Sequence, residues 1–147
     1  MAKVRLSGSL RSKAIQRAQK RCEYCQKPDD REFNSASHEV DHITAEKHGG
    51  KTSLDNLAYA CLQCNRCKGT DLTSLDPESG TVTLLFHPRT QVWDEHFRLN
   101  EDGTITPLTM AGRTTARLLR FNDPMRVQQR ADLIAEGTLR TKEHPRG

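Results

Sequence analysis

A chain of 147 residues with only 34% hydrophobic and 5% aromatic residues supports one compact domain with an appended subdomain, and a modest core. No stretch approaches a membrane span and the first residues lack the apolar run of a secretion signal, which argues against a membrane protein and predicts a cytoplasmic one with reduced thiols. The net charge of +4 is unevenly spread: residues 1–21 carry seven bases and no acid, residues 22–86 six bases and eleven acids, residues 87–147 ten bases and eight acids. A basic arm beside an acidic middle suits a polyanionic partner steered toward a bound cation.

In chain order, residues 10–21 read as a helix with Ser9 as N-cap, in which Leu10, Ala14, Ala18 and Cys22 share one side. Lys13, Arg17, Lys20 and Arg21 fall mainly on the other, a candidate surface for phosphates. Residues 29–37 are polar and read as a loop, residues 38–43 as a short strand, and Gly49-Gly50 as a positive-φ turn. Ser53 is placed to cap a short turn through Asn56; after residues 57–60, residues 61–68 read as a helix stopped by Gly69. Farther on, a turn over residues 76–80 leads into a strand over residues 81–86, ended by His87-Pro88-Arg89. Trp93 and Phe97, four apart, fit one face of a short helix, and Glu101-Asp102-Gly103 turns into a strand around Ile105. Helices are expected over residues 109–121 and 124–136, the second with Asp123 as cap and Pro124 at its first position.

The cysteines carry the strongest local signal. Cys22/Cys25 and Cys61/Cys64 are two Cys-x-x-Cys turns, each able to grip one Zn²⁺ from a tight bend, and together they complete a tetrahedron of four thiolates. One structural Zn²⁺ per chain is expected, and with so small a core its binding free energy becomes folding free energy. A disulfide framework fits neither the spacing nor the compartment; Cys67 is left as a small helix residue. Residues 26–60 exceed the usual zinc-ribbon spacer, so the segment between the pairs holds more than a connecting turn.

That segment contains His38-Glu39-Val40-Asp41-His42, which matches the H-E-x-x-H of zinc metalloproteases, with His48 six residues beyond. In that reading the histidines bind catalytic zinc and Glu39 activates water. However, Ala45 stands where the longer protease motif needs glycine, no Met-turn follows, and the four cysteines go unexplained. The zinc nucleobase deaminases also fit poorly, because His38 and Glu39 are adjacent and Ala60 precedes Cys61.

Taken together, Cys22-x-x-Cys25, Val40-Asp41-His42-Ile43, Gly49-Gly50, Asp55-Asn56-Leu57, Ala60-Cys61-x-x-Cys64-Asn65 and Lys68-Gly69 resemble the HNH endonucleases. Beyond this core, Asp76-Pro77, Leu85-Phe86-His87-Pro88-Arg89, Trp93, Glu95-His96-Phe97 and Gly112-Arg113 are similar to a C-terminal extension in a group of bacterial HNH proteins. The resemblance spans residues 21–130 and leaves the basic arm outside. It implies an α+β fold: a small zinc-stabilised ββα-metal core with flanking helices and a C-terminal strand and helix extension. It also implies a metal-dependent endonuclease that hydrolyses phosphodiester bonds, most naturally in DNA. His42 takes the role of general base, Asp41 and Asn65 ligate the catalytic metal, and Asn56 fixes the loop that orients His42. Asn65 departs from the family's last histidine, and hard carboxylate and amide oxygens favour Mg²⁺ or Mn²⁺.

The expected organisation is a basic arm and helix over residues 1–21, a nuclease core over residues 22–71, an extension packed on the core over residues 72–137 and a flexible tail over residues 138–147. Lys13, Arg17, Lys20, Arg21, Lys68 and Arg89 are candidate nucleic-acid contacts, Lys68 being equally readable as a solvated helix lysine. A zinc-clamped nucleic-acid-binding module without catalysis is the first alternative, the metalloprotease the second. Sequence specificity, DNA against RNA, oligomeric state, biological role and the parts played by His38, Glu39, His48, His87 and His96 are not legible at this level.

Overall fold

A computed structural model describes residues 6–29 and 38–141. Lys3 and Arg5 of the basic arm, residues 30–37 of the polar loop and residues 142–147 of the expected tail lie outside the described residues. Helices and small antiparallel strand pairs make an α+β fold. Two compact units divide it: residues 6–29, 38–72 and 87–92 form one, and residues 73–86 and 93–141 the other. No helix among the described residues is long and apolar enough to cross a membrane.

The first unit opens with α1 (Gly8–Arg17), capped by Ser7, whose Oγ accepts the Leu10 N–H at 3.1 Å. The helix thus begins earlier and ends sooner than residues 10–21. Its stop is conformational: Gln19 and Lys20 have φ of 54° and 57°, and the Lys20 N–H folds back onto the Ile15 carbonyl at 3.2 Å. Strand β1 (Glu39–His42) pairs antiparallel with β2 (Leu57–Ala60), Glu39 opposite Ala60 and His42 opposite Leu57. Between them run two 3₁₀ turns, Glu46–His48 and Leu54–Asn56. Helix α2 (Leu62–Lys68) follows at once, capped by the Cys61 sulfur and ended by Gly69 at φ 52°. Ala14 of α1 packs with Val40, Leu57 and Tyr59, so the helix closes one side of the strand pair.

The second unit begins with a hairpin of β3 (Thr73–Leu75) and β4 (Val82–Leu84); β3 escaped the sequence reading because only two of its residues are apolar or β-branched in a run of three. A short helix, α3 (Trp93–His96), leads into β5 (Phe97–Leu99), which pairs with β6 (Ile105–Pro107). Phe97 therefore belongs to a strand, although its ring still lies 5.1 Å from that of Trp93. Helix α4 (Met110–Leu118) is capped by Thr109, and α5 (Pro124–Ala135) starts on Pro124; Asp123 precedes it without a side-chain capping bond. Phe97 sits 5.4 Å from both Phe86 and Phe121, ring centre to ring centre, and forms the middle of this unit's core.

Candidate functional site

Four sulfurs come together in the first unit. Cys22, Cys25, Cys61 and Cys64 are buried, and their Sγ atoms lie within 4.8 Å of one another. Cys25 and Cys61 are 3.6 Å apart, close to the edge of about 3.8 Å that a tetrahedron of ~2.3 Å Zn–S bonds requires. Each pair also carries the amide bond expected of a metal-binding turn: Cys25 N–H to Cys22 Sγ and Cys64 N–H to Cys61 Sγ, both at 3.4 Å. Burial pushes the Cys22 and Cys64 thiols far above their ordinary value, whereas the Cys22 side chain, by hydrogen bonding, draws Cys61 down. Together the four buried sulfurs are a matched donor set for a soft dication. The cysteines are arranged to bind a metal, and the set suits zinc.

Strand β1 runs away from this cluster toward a second feature. A recess of about 10 Å³, room for one water or one ion, is lined by Tyr24, Asp41, His42, Ala58, Ala60, Asn65 and Lys68. The order β1, β2, α2 produces it. Asp41 and His42 end the first strand, Ala58 and Ala60 supply small side chains on the second, and Asn65 and Lys68, one turn apart, face it from the helix. The Asp41 side chain is half exposed, and its Oδ1 accepts the His42 backbone N–H at 2.8 Å. His42 is mostly buried; its Nε2 lies 2.9 Å from Thr52 Oγ1 and its Nδ1 4.0 Å from Asp41 Oδ1. Lys68 is buried, not a solvated helix lysine: its ammonium donates to the Ile43 carbonyl at 2.8 Å. Burial lowers its affinity for a proton, and the nearby Asp41 and Asp71 carboxylates partly restore it.

Asn56 braces the loop beyond His42. Its Oδ1 accepts the Thr44 N–H at 2.9 Å, and its Nδ2 donates to the Thr44 carbonyl at 2.9 Å and the Lys51 carbonyl at 2.8 Å. The two glycines of this loop serve different ends. Gly49 supplies the left-handed turn at φ 89°, whereas a Cβ on Gly50 would lie 1.7 Å from the Thr44 carbonyl oxygen and 2.8 Å from Asn56 Nδ2. Close approach, not positive φ, demands the second glycine.

The histidine-glutamate run does not make a second metal site. It lies on a strand, where positions four apart are separated by roughly 13 Å, so His38 and His42 cannot share an ion as they would on a helix. His38 is buried, with Nε2 2.8 Å from the Lys27 carbonyl and its ring 5.3 Å from Tyr59, and His48 is exposed in its 3₁₀ turn. The zinc-protease reading is corrected on that ground. Three of the basic candidates are held by the chain itself. Arg17 donates to the Leu54 and Leu57 carbonyls at 2.7 and 2.8 Å, Lys68 to Ile43, and Arg89 pairs with Glu23. Burial lowers the Arg89 value to about 10, which leaves it cationic. Lys13 and Lys20 are exposed and Arg21 half-buried. His87 accepts the Arg89 N–H at Nδ1, and His96 bonds Thr109 Oγ1 at 2.6 Å beside Phe86, so each is engaged within its own unit.

Residues 22–71, the segment that contains both features, match the family model for HNH endonuclease. The sulfur cluster and the recess both belong to this HNH segment, which points to a nuclease-type function on nucleic acid. The chain is also similar to the Septu protein PtuA of Bacillus mycoides (strain KBAB4), 27% identical over an alignment 96 residues long that covers 58% of this chain. It spans 14% of that relative's length. No solved structure matches significantly.

Proposed function

We propose that this chain is a metal-dependent endonuclease that hydrolyses phosphodiester bonds in DNA, with the recess between β1, β2 and α2 as its active site. The observation that carries the reading is the convergence of a carboxylate, an imidazole and an amide, from Asp41, His42 and Asn65, on a space the size of one ion. The half-exposed Asp41 carboxylate and the Asn65 amide oxygen are hard donors that fit Mg²⁺ or Mn²⁺ with retained waters. Such an ion, when bound, neutralises charge on the phosphate under attack. His42 takes the proton of the attacking water from its largely buried position. Asn56 holds the backbone at residues 44 and 51, and Lys68 holds it at residue 43, so the imidazole is presented from a fixed turn. Phosphate contacts outside the recess fall to Lys13, Lys20 and Arg21, because Arg17 and Arg89 serve the fold.

The test is nicking of supercoiled plasmid by zinc-loaded protein, with and without Mg²⁺. Cleavage should depend on the added cation and fall about 10²–10⁴-fold in His42→Ala, the contribution of a general base. Plasmid binding without nicking in the wild type would instead leave a zinc-clamped nucleic-acid-binding module.

A further inference from the structure

One polar contact of His42 belongs to no motif. Thr52, half-buried, places its Oγ1 2.9 Å from His42 Nε2 across ten residues of chain. The loop that brings them together is braced on both sides of the pair. Next to His42, the Ile43 N–H donates to the Asn56 carbonyl at 2.8 Å and the Ile43 carbonyl accepts Lys68. Next to Thr52, the Lys51 carbonyl accepts Asn56 Nδ2, and Gly50 lies against the Thr44 carbonyl. A hydrogen bond between two segments held this way fixes the ring it ends on.

A neutral imidazole has one N–H and one lone pair, and the bond made by one nitrogen decides which the other carries. Among the described residues nothing accepts a proton from Nδ1. Its nearest carboxylate oxygen, Asp41 Oδ1, is 4.0 Å away, beyond hydrogen-bond reach, and already accepts the His42 backbone N–H. Thr52 Oγ1 is in place to accept from Nε2.

We infer that Thr52 is a positioning residue, whose hydroxyl accepts the Nε2–H of His42 and leaves the lone pair on Nδ1, the nitrogen on the Asp41 side. The tautomer follows from the contacts alone; its use as the proton acceptor in cleavage rests on the nuclease reading.

Two measurements separate these. In the first, the zinc-loaded full chain carrying ¹⁵N-labelled histidine is examined by long-range ¹H–¹⁵N NMR at a pH well above the ordinary imidazole range. Wild-type His42 should show the Nε2–H tautomer with a proton slow to exchange with water. Thr52→Ser should keep that proton; Thr52→Val and Thr52→Ala should lose its protection and raise the fraction of the Nδ1–H form. An Nδ1–H tautomer in the wild type overturns the inference without any variant, and so does an unchanged signal in a folded, zinc-loaded Thr52→Val or Thr52→Ala. In the second, plasmid nicking should lose about tenfold in kcat in Thr52→Val, with KM unchanged and with recovery in Thr52→Ser, the size expected for one hydrogen bond to a reacting group. A wild type with the Nε2–H signal but no nicking sinks the nuclease reading and leaves the tautomer standing.

Discussion

The two units of this chain are built on different physics. Every phenylalanine and tryptophan among the described residues lies in the second, where Phe97 meets Phe86, Trp93 and Phe121 at 5.1–5.4 Å between ring centres and Ile105, Leu119 and Leu139 are buried as well. There even two arginines, Arg126 and Arg130, are buried. Arg130 donates to the Gly103 and Phe121 carbonyls, and Arg126 to those of Leu119 and Arg120, so both guanidiniums tie loop ends that no regular structure satisfies. The first unit has a small apolar cluster of Ala14, Val40, Leu57 and Tyr59 and, beside it, four buried sulfurs. A unit that lacks a large core and gathers four thiols is arranged to draw stability from a bound metal; a unit with an aromatic core has no such need.

The largest effect should therefore come from taking the metal away. Chelation of zinc, or Cys61→Ser, should unfold the first unit and abolish nicking, because structural zinc sites of this kind contribute roughly 10 kcal/mol or more of folding free energy. The fluorescence of Trp93, the one tryptophan, reports the second unit and should hardly change. Concerted loss of both signals would break the contrast. The reciprocal change is Phe97→Ala. It removes a ring that is 1% exposed and in contact with four other rings, which should cost about 3–5 kcal/mol. Trp93 fluorescence should melt earlier while zinc content stays at one ion per chain.

Within the first unit a smaller change sharpens the comparison between frame and site. Asn56→Ala leaves the part-buried Thr44 N–H and carbonyl and the exposed Lys51 carbonyl without their partner, at about 1 kcal/mol, the net worth of a typical hydrogen bond. Zinc content should hold, and nicking should fall through kcat. A loss of zinc in this variant would mean that the cluster and the recess are one structure, not two.

What could be read from the sequence follows the range of the interactions. The Cys-x-x-Cys turns, the end of α2 at Gly69 and the strand that carries His42 depend on neighbours a few residues away and were legible in spacing alone, whereas its partner over residues 57–60, fifteen residues from His42 at the pairing, came only with the family pattern. The quartet Asp41, His42, Asn56 and Asn65 was legible as a family pattern, and the structure brings three of its members to one recess with the fourth bracing the loop. The uses of Arg17, Lys68 and Thr52 were not. Arg17 reaches carbonyls 37 and 40 residues away and Lys68 one 25 away, and a cation on a helix face carries no mark of which carbonyl it will meet. Ser7 displaced Ser9 as the cap of α1 for a similar reason. Both serines suit the position locally, and the packing of Ala14 against Val40, Leu57 and Tyr59 sets where the helix must lie.

The smallest expected effect concerns acid, and it separates the units by titration. In the second unit Asp76 is 1% exposed; Arg113 grips it through two bonds at 3.0 and 2.9 Å, and Ser79 Oγ donates to it at 2.6 Å. Arg113 first, then Ser79, holds this carboxyl well below the usual carboxylate range. A carboxylate whose folded value is depressed stabilises the fold fully above its unfolded value, about 3.9, and loses that contribution as pH falls through the folded value. The Trp93 signal should accordingly resist acid down to about pH 4 and weaken below it. Asp76→Asn should lower Tm at neutral pH and flatten the acid limb, since the variant has no proton to take up there. The thiolate cluster works in the same direction from another cause, because protons compete with zinc for sulfur. Zinc release should then precede the Trp93 transition as pH is lowered, and the interval between the two should shrink in Asp76→Asn. An unchanged acid limb in that variant would show that the Asp76–Arg113 pair shapes the turn at residues 76–81 without setting the stability of the unit.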